Sequence, residues 1–190
     1  MALEAGPLMQ GVRPGDSVAV NGVCLTVTSV TEQALEVEAA AETLSKTNLG
    51  ELTGGSRINL ERPIPAGGRI HGHWVLGHVD STTRVARIQR LPESLLMSFE
   101  LNDEIRPFIV ARGSVAVDGV SLTAARLDES TFTCSIIGYT LSHTNLSVRE
   151  VGQRVNVETD IIGKYVVKAL GKTMQGGGEI TEDNLRNWGY

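Results

Sequence analysis

Two cysteines, Cys24 and Cys134, are too few for the disulfide framework that holds small secreted domains together. No stretch reaches the roughly 18 consecutive apolar residues of a membrane-spanning helix, and no basic-then-apolar leader opens the chain. Basic residues are few and scattered: 17 Lys and Arg face 22 Asp and Glu, for a net charge of −5. That balance argues against nucleic acid and anionic membrane as partners. Also missing are a Gly-x-Gly-x-x-Gly between strand and helix, a Walker loop and a Gly-x-Ser-x-Gly elbow. What remains is an ordinary composition suited to a reducing, cytoplasmic setting, with 21 Gly against six Pro pointing to the many tight turns of an all-β protein. A chain of 190 residues holds one large core or two small ones.

An internal repeat decides between these. Ser17-Val-Ala-Val-Asn-Gly-Val-Cys-Leu-Thr26 returns as Ser114-Val-Ala-Val-Asp-Gly-Val-Ser-Leu-Thr123, a shift of 97 positions. The same shift aligns Thr43-Leu-Ser-Lys-Thr-Asn-Leu49 with Thr140-Leu-Ser-His-Thr-Asn-Leu146, and Gly55-Ser-Arg-Ile-Asn-Leu-Glu61 with Gly152-Gln-Arg-Val-Asn-Val-Glu158. Residues 17–61 and 114–158 share 19 identities in 45 positions without a gap, so the chain is a duplicated domain.

Each copy reads as β. Asn21-Gly22 and Asp118-Gly119 supply the positive φ angles of a two-residue hairpin. Leu35-Glu-Val-Glu38, Thr131–Ile136, Arg57–Glu61 and Arg154–Glu158 alternate in the manner of half-buried strands. Such short strands, punctuated by Gly, predict two tandem antiparallel β-barrels, because closure removes exposed edges. Helix signals are sparse. Asn102-Asp-Glu opens a short candidate limited by Pro107. Asp160 caps a longer one with an apolar stripe of Ile161, Ile162, Tyr165, Val166, Ala169 and Leu170. Gly176-Gly-Gly178 ends it, and Thr181-Glu-Asp begins a last short helix. The predicted organisation is an N-terminal barrel over 1–73, a C-terminal barrel over 74–160 and a helical segment over 161–190. Under the repeat shift, Gly77 has its counterpart at position −20, so the first barrel is expected to lack one or two strands.

Several residues could carry chemistry. Cys24 breaks the repeat, its counterpart being Ser121. A thiol here is either a small buried strand residue or a group facing a pocket beside Ser17 and Thr26. His71, His73 and His78 fall in His-Gly-His-Trp-Val-Leu-Gly-His. No Cys-x-x-Cys or Glu-rich partner stands near them, so no metal site is read there, and a single imidazole serving as proton carrier fits better. His143, standing where copy one has Lys46, reads as a surface residue. The paired Ser-Leu-Thr groups offer neutral donors and acceptors for a polar, uncharged heterocycle.

Val20-Asn-Gly-Val-Cys-Leu-Thr26, Glu42-Thr-Leu-Ser-Lys-Thr-Asn-Leu49, Gly72-His73 through His78-Val-Asp80 and Asp118-Gly-Val-Ser-Leu-Thr123 together resemble the riboflavin synthase family of tandem lumazine-binding domains. The resemblance runs from about residue 3 to the C-terminus. It implies two tandem Greek-key antiparallel β-barrels plus a C-terminal helix, in a homotrimer whose C-terminal helices associate. It also implies a transferase that needs no cofactor and no metal. Two molecules of 6,7-dimethyl-8-ribityllumazine exchange a four-carbon unit, giving riboflavin and 5-amino-6-(D-ribitylamino)uracil. Each barrel holds one lumazine, and an association with lumazine synthase is a further partner to consider.

The same resemblance implies site residues. In the first barrel these are Cys24, Leu25 and Thr26 with a strand end of Glu38, Ala39, Ala40, Ala41, Glu42 and Thr43. In the second they are Ser121, Leu122 and Thr123 with Ile137, Gly138, Tyr139, Thr140, Leu141 and Ser142. Gly77, His78 and Val79 match a further binding segment. Arg112 stands where the family has Lys, and Asp118 is placed as an aid in the partner barrel. Ser17, Cys24 and His78 match positions tied to catalysis. Two departures are the absence of the family's opening Met-Phe-Thr-Gly-Ile-Val strand and Ile137-Gly-Tyr-Thr140 in place of Ile-Ile-Pro-His-Thr. The alternative reading is a lumazine- or flavin-binding protein without catalysis; an assembly protein using an inactive barrel pair is a third.

Overall fold

The computed structural model describes residues 1–175. Five strands form the first unit: β1 (Ala2–Leu3), β2 (Ser17–Val20), β3 (Val23–Val30), β4 (Leu35–Glu38) and β5 (Leu60–Glu61). They lie in the order β1-β4-β3-β2-β5 as one open antiparallel sheet. Six form the second: β6 (Ser81–Arg90), β7 (Ser94–Glu100), β8 (Ser114–Val117), β9 (Val120–Leu127), β10 (Thr131–Ile137) and β11 (Arg154–Thr159). These close into a barrel in the order β10-β7-β6-β11-β8-β9. The first unit of the expected barrel pair is thus a half-barrel. Under the repeat, β2, β3, β4 and β5 correspond to β8, β9, β10 and β11, and β1 takes the place of the end of β7 beside β4. The predicted strand over 57–61 shortens to two residues because β5 pairs only with β2, whereas β11 is held on both sides by β6 and β8.

Alternation sets both cores. Val18, Val20, Leu25, Val27, Leu35 and Val37 point inward in the first unit, while Ser17, Cys24, Thr26 and Glu38 point out. In the barrel, Phe99 and Phe132 stack with centroids 5.1 Å apart, an arrangement worth about 0.5–1.5 kcal/mol beyond its buried area. Cys134 lies in this core, where burial pushes its thiol up to about 12, so it is a packing residue.

The two hairpin tips meet back to back. Asn21 and Gly22 have φ of 46° and 74°, and Asp118 and Gly119 have 47° and 80°, as a primed turn requires. A Cβ added to Gly22 would lie 2.6 Å from the Gly119 nitrogen, so only glycine permits this contact. Around it, the repeated asparagines make a buried network with pseudo-twofold symmetry. The Asn48 amide donates to Asn156 Oδ1 at 2.7 Å, and the Asn145 amide to Asn59 Oδ1 at 2.7 Å. Asn59 Nδ2 donates to the Asp118 carbonyl at 2.9 Å, and Asn156 Nδ2 to the Asn21 carbonyl at 2.8 Å. Each copy therefore satisfies the other's buried polar groups.

Helices occur at places the alternation did not show. Helix α1 (Ala41–Lys46) follows β4, and α2 (Gly138–His143) follows β10 at the equivalent position. The stretches expected as strand ends over 38–43 and 137–142 are therefore strand-to-helix corners. The candidate helix at Asn102 is instead a turn leading to a 3-10 turn at Arg106–Phe108, because Asn102 Oδ1 accepts the amides of Glu104 and Ile105. Asp160 caps α3 (Ile161–Gln175) by accepting the Ile162 amide at 3.0 Å. The last helix expected from Thr181, and the Gly176-Gly-Gly178 stop, lie outside the described residues.

Candidate active site

One segment ties the two units together chemically. Residues 71–80 cross from the first sheet to β6, and they cover Cys24 and Ser121, the two positions related by the repeat. Gly77, at φ 81°, lies so close that an added Cβ would sit 2.6 Å from Cys24 Cβ, and its carbonyl accepts the Cys24 amide at 2.9 Å. Gly72, at φ 83°, lies against Ser121: an added Cβ would sit 2.3 Å from Oγ. Any side chain at either glycine would push the segment off its strand.

The segment is anchored by Glu158. This buried carboxylate accepts the amides of Leu76 at 2.7 Å, Gly77 at 2.9 Å and His78 at 3.0 Å. Three charge-assisted bonds from consecutive amides hold the backbone beside Cys24, leaving the His78 side chain exposed. Asp80 adds a second tie: its carboxylate accepts the amide and hydroxyl of Thr159 and pairs with Lys164 at 2.6 Å.

On the outer face of the first sheet, Ser17, Thr26 and Glu38 form a row, since Ser17 pairs with Thr26 and Thr26 with Glu38. Cys24 is exposed two residues along the same strand. The second unit repeats the row with Ser114 opposite Thr123 and with Ser121 half-buried. Ser17, Cys24, Thr26 and Glu38 thus share one face, with Gly77 and His78 against it; Ser121 and Thr123 share the equivalent face of the barrel. Ala40, Ala41 and Glu42 stand exposed at the start of α1, with Glu42 paired to Lys46 at 2.7 Å. Ala39 and Val79 lean on the first core, and Leu141 on the second. Ile137 and Tyr139 are exposed, Tyr139 stacking on His143 at 4.1 Å. Thr140 and Ser142 hold α2, the Thr140 carbonyl accepting from Thr144 and the Ser142 hydroxyl donating to the Tyr139 carbonyl.

Three expected site residues stand elsewhere. Leu25 and Leu122 point into the two cores, as alternation from Val23 and Val120 requires. Asp118 is fully buried at the junction of the units. Its Oδ2 takes Arg149 Nη2 at 2.5 Å and Nε at 3.0 Å; Oδ1 takes Asn48 Nδ2 at 2.8 Å and the Asn156 amide at 2.9 Å. Burial raises this carboxyl above its usual range, with Arg149 and the amide donors pulling the other way. Arg112 is exposed at φ 66°, where its counterpart Gly15 has φ 91°. The sequence reading passed over Glu158. Glu158 was visible only as the last residue of the repeated Arg-x-Asn-x-Glu pattern.

A cleft of about 1,060 Å³ lies at the open side of the first sheet, bordered by Met1–Ala5, residues 52–61 and Asp118–Val120. Cys24, His78 and Ser121 do not line it, so this cleft and the thiol-and-hydroxyl face are different places.

The Lumazine binding domain family matches residues 3–63 and 76–160. Riboflavin synthase of Bacillus subtilis (strain 168) is 41% identical over 172 residues, covering 90% of this chain and 80% of its own. Riboflavin synthase of Schizosaccharomyces pombe is 40% identical over 171 residues, covering 90% and 82%. Among solved structures, LumP complexed with riboflavin superposes with a TM-score of 0.76 at 23% identity, covering 82% of this chain and 84% of that one. LumP complexed with 6,7-dimethyl-8-(1'-D-ribityl) lumazine gives 0.74 at 21%, a likeness of fold. The chain belongs to the lumazine-binding domain family, within its riboflavin synthase branch.

Proposed function

We propose that this chain is a riboflavin synthase that binds one 6,7-dimethyl-8-ribityllumazine on each unit and transfers a four-carbon unit between the two. The products are riboflavin and 5-amino-6-(D-ribitylamino)uracil, and the exchange balances without an oxidant or cofactor, as in a transferase. The observation that carries the reading is the pairing of Cys24 and Ser121, equivalent positions on equivalent outer faces, beneath one segment anchored by Glu158.

The chemistry suits these groups. The lumazine 7-methyl protons are acidic because the resulting anion spreads into the ring, so a modest base such as the exposed imidazole of His78 suffices. A nucleophile adding to C7 of the second molecule activates it, and Cys24, Ser17 or an ordered water can fill that role. Holding two identical molecules together contributes up to about 7–11 kcal/mol through effective molarity. The corners at 38–43 and 137–142 supply walls for the two sites.

The reading extends to a homotrimer in which the reacting pair sits between the first unit of one subunit and the barrel of its neighbour. Support comes from α3, where Ile162, Tyr165, Val166 and Leu170 are all exposed along one helix. A cytoplasmic location and an association with lumazine synthase belong to the same proposal. Among the described residues, no helix is long and apolar enough to cross a membrane.

Incubation of the purified protein with the lumazine tests the reading. The expected result is one riboflavin for every two lumazines consumed. Binding without riboflavin formation would replace it with a non-catalytic lumazine- or flavin-binding role.

A further inference from the structure

His73 is the titratable group at this site that the proposed chemistry leaves unused. Its Nδ1 lies 2.8 Å from Ser121 Oγ, and its backbone amide donates to the same oxygen at 3.4 Å. Its Nε2 is shielded and meets no partner among the described residues. Burial lowers the pKa of the ring despite the opposing charges of Asp160 and Glu158, so near neutral pH the ring carries a single N–H. That hydrogen has two places to go. On Nε2 it would be a buried donor without an acceptor, the costliest kind of orphan; on Nδ1 it points at Ser121 Oγ. The Nδ1–H tautomer follows.

Ser121 Oγ then accepts two N–H bonds, one from the ring and one from the His73 backbone, and Gly72 presses against it from the same side. Its own hydrogen has no acceptor among the described residues. At the equivalent position of the first unit, no such side-chain hydrogen bond is present among the described residues: Cys24 keeps an exposed thiol, and its hydrogen bond to the crossing segment runs from its amide to the Gly77 carbonyl.

We infer that His73 is a positioning residue that holds Ser121 as an obligate hydrogen-bond donor, so that the site on the barrel selects a heterocycle edge bearing a carbonyl oxygen or an unprotonated ring nitrogen. The identity of the heterocycle rests on the riboflavin synthase reading; the polarity of the serine does not. The two sites are thereby unlike in chemistry although their backbones repeat: a thiol on one, a fixed donor on the other. Two identical substrate molecules would meet different partners and be sorted into different roles.

Two measurements test this. A long-range proton–nitrogen spectrum of the ¹⁵N-labelled protein, with the His73 signals identified by their loss in His73→Asn, reports the tautomer directly. The expected result at pH 7 is a neutral ring protonated at Nδ1; a ring protonated at Nε2, or at both nitrogens, overturns the inference. Fluorescence titration with a lumazine analogue lacking the reactive 7-methyl group, which is not turned over, reads the consequence. Ser121→Ala is expected to weaken one of the two binding events about tenfold, the scale of one lost hydrogen bond. His73→Leu acts in the same direction, while His73→Asn, whose side-chain amide can donate where Nδ1–H did, stays within about threefold of the unmodified protein. Equal affinities for the Leu and Asn variants would contradict a positioning role. The tautomer is read on the unmodified protein, and should His73→Asn fail to fold, the His73 signals are assigned by elimination from the losses in His71→Asn, His78→Asn and His143→Asn, all at exposed positions. If the unmodified protein binds no lumazine, the functional reading falls, while the tautomer still decides the polarity of Ser121.

Discussion

Asn21 in the first copy is Asp118 in the second, and the residue that answers the change is Arg149, where the first copy has Leu52. Both turns have the same backbone and enter the same amide network, so the second copy carries a buried ion pair at a place where the first manages with a neutral amide. Glu61 and Glu158 differ the other way. They are the same residue at equivalent positions, but Glu158 receives three backbone amides, while burial raises Glu61 above the usual carboxyl range. The residues that stay identical and serve the junction are the asparagine pairs Asn48/Asn145 and Asn59/Asn156. Differences arise where each copy meets something its twin does not, above all the crossing segment 71–80.

Substitutions that remove one side of such a contrast break it hardest. Arg149→Ala leaves Asp118 buried without its partner and is expected to cost about 3–5 kcal/mol, read by urea unfolding. Asp118→Asn combined with Arg149→Leu rebuilds the first copy's arrangement and should recover to within about 1 kcal/mol of the original. Next is the chemistry: His78→Gln and Cys24→Ala are each expected to lower kcat by about a hundredfold, and full activity in either removes that residue from the mechanism. Glu158→Gln is expected to cost about 1.5–3 kcal/mol and to speed hydrogen exchange at the amides of residues 76–78. Glu61→Gln should leave that exchange unchanged and, by removing a half-buried charge, cost no stability near neutral pH.

Asp118 also sets a pH dependence. Its folded pKa lies above the unfolded value, so the folded state holds the proton more tightly. Its contribution is therefore full below the unfolded pKa and is lost as pH rises through the folded one. The Asp118→Asn/Arg149→Leu protein should lack that acid-side slope in urea midpoints taken across the carboxyl range.

Much of this was legible before any coordinates. The duplicated Asn-Gly and Asp-Gly turns fix both hairpins through φ alone, and alternation fixes which residues of β3 and β4 face out. That same alternation places the Leu25 and Leu122 side chains inside. Helices α1 and α2 were not legible, because six residues span under two turns and leave no period to detect. The Asp118–Arg149 pair joins residues 31 apart in sequence, and its partner lies outside every motif. His73 and Glu158 became site residues only when the crossing segment was seen to lie on Ser121 and Cys24.

Counting, by equilibrium dialysis, a bound lumazine analogue that lacks the reactive 7-methyl group and so is not turned over tests the paired-site account most directly. The account predicts two molecules per chain in the unmodified protein and one in each of Cys24→Phe and Ser121→Phe, whose rings would fill one face apiece. A single molecule per chain in the unmodified protein, or loss of both from either substitution, would contradict it.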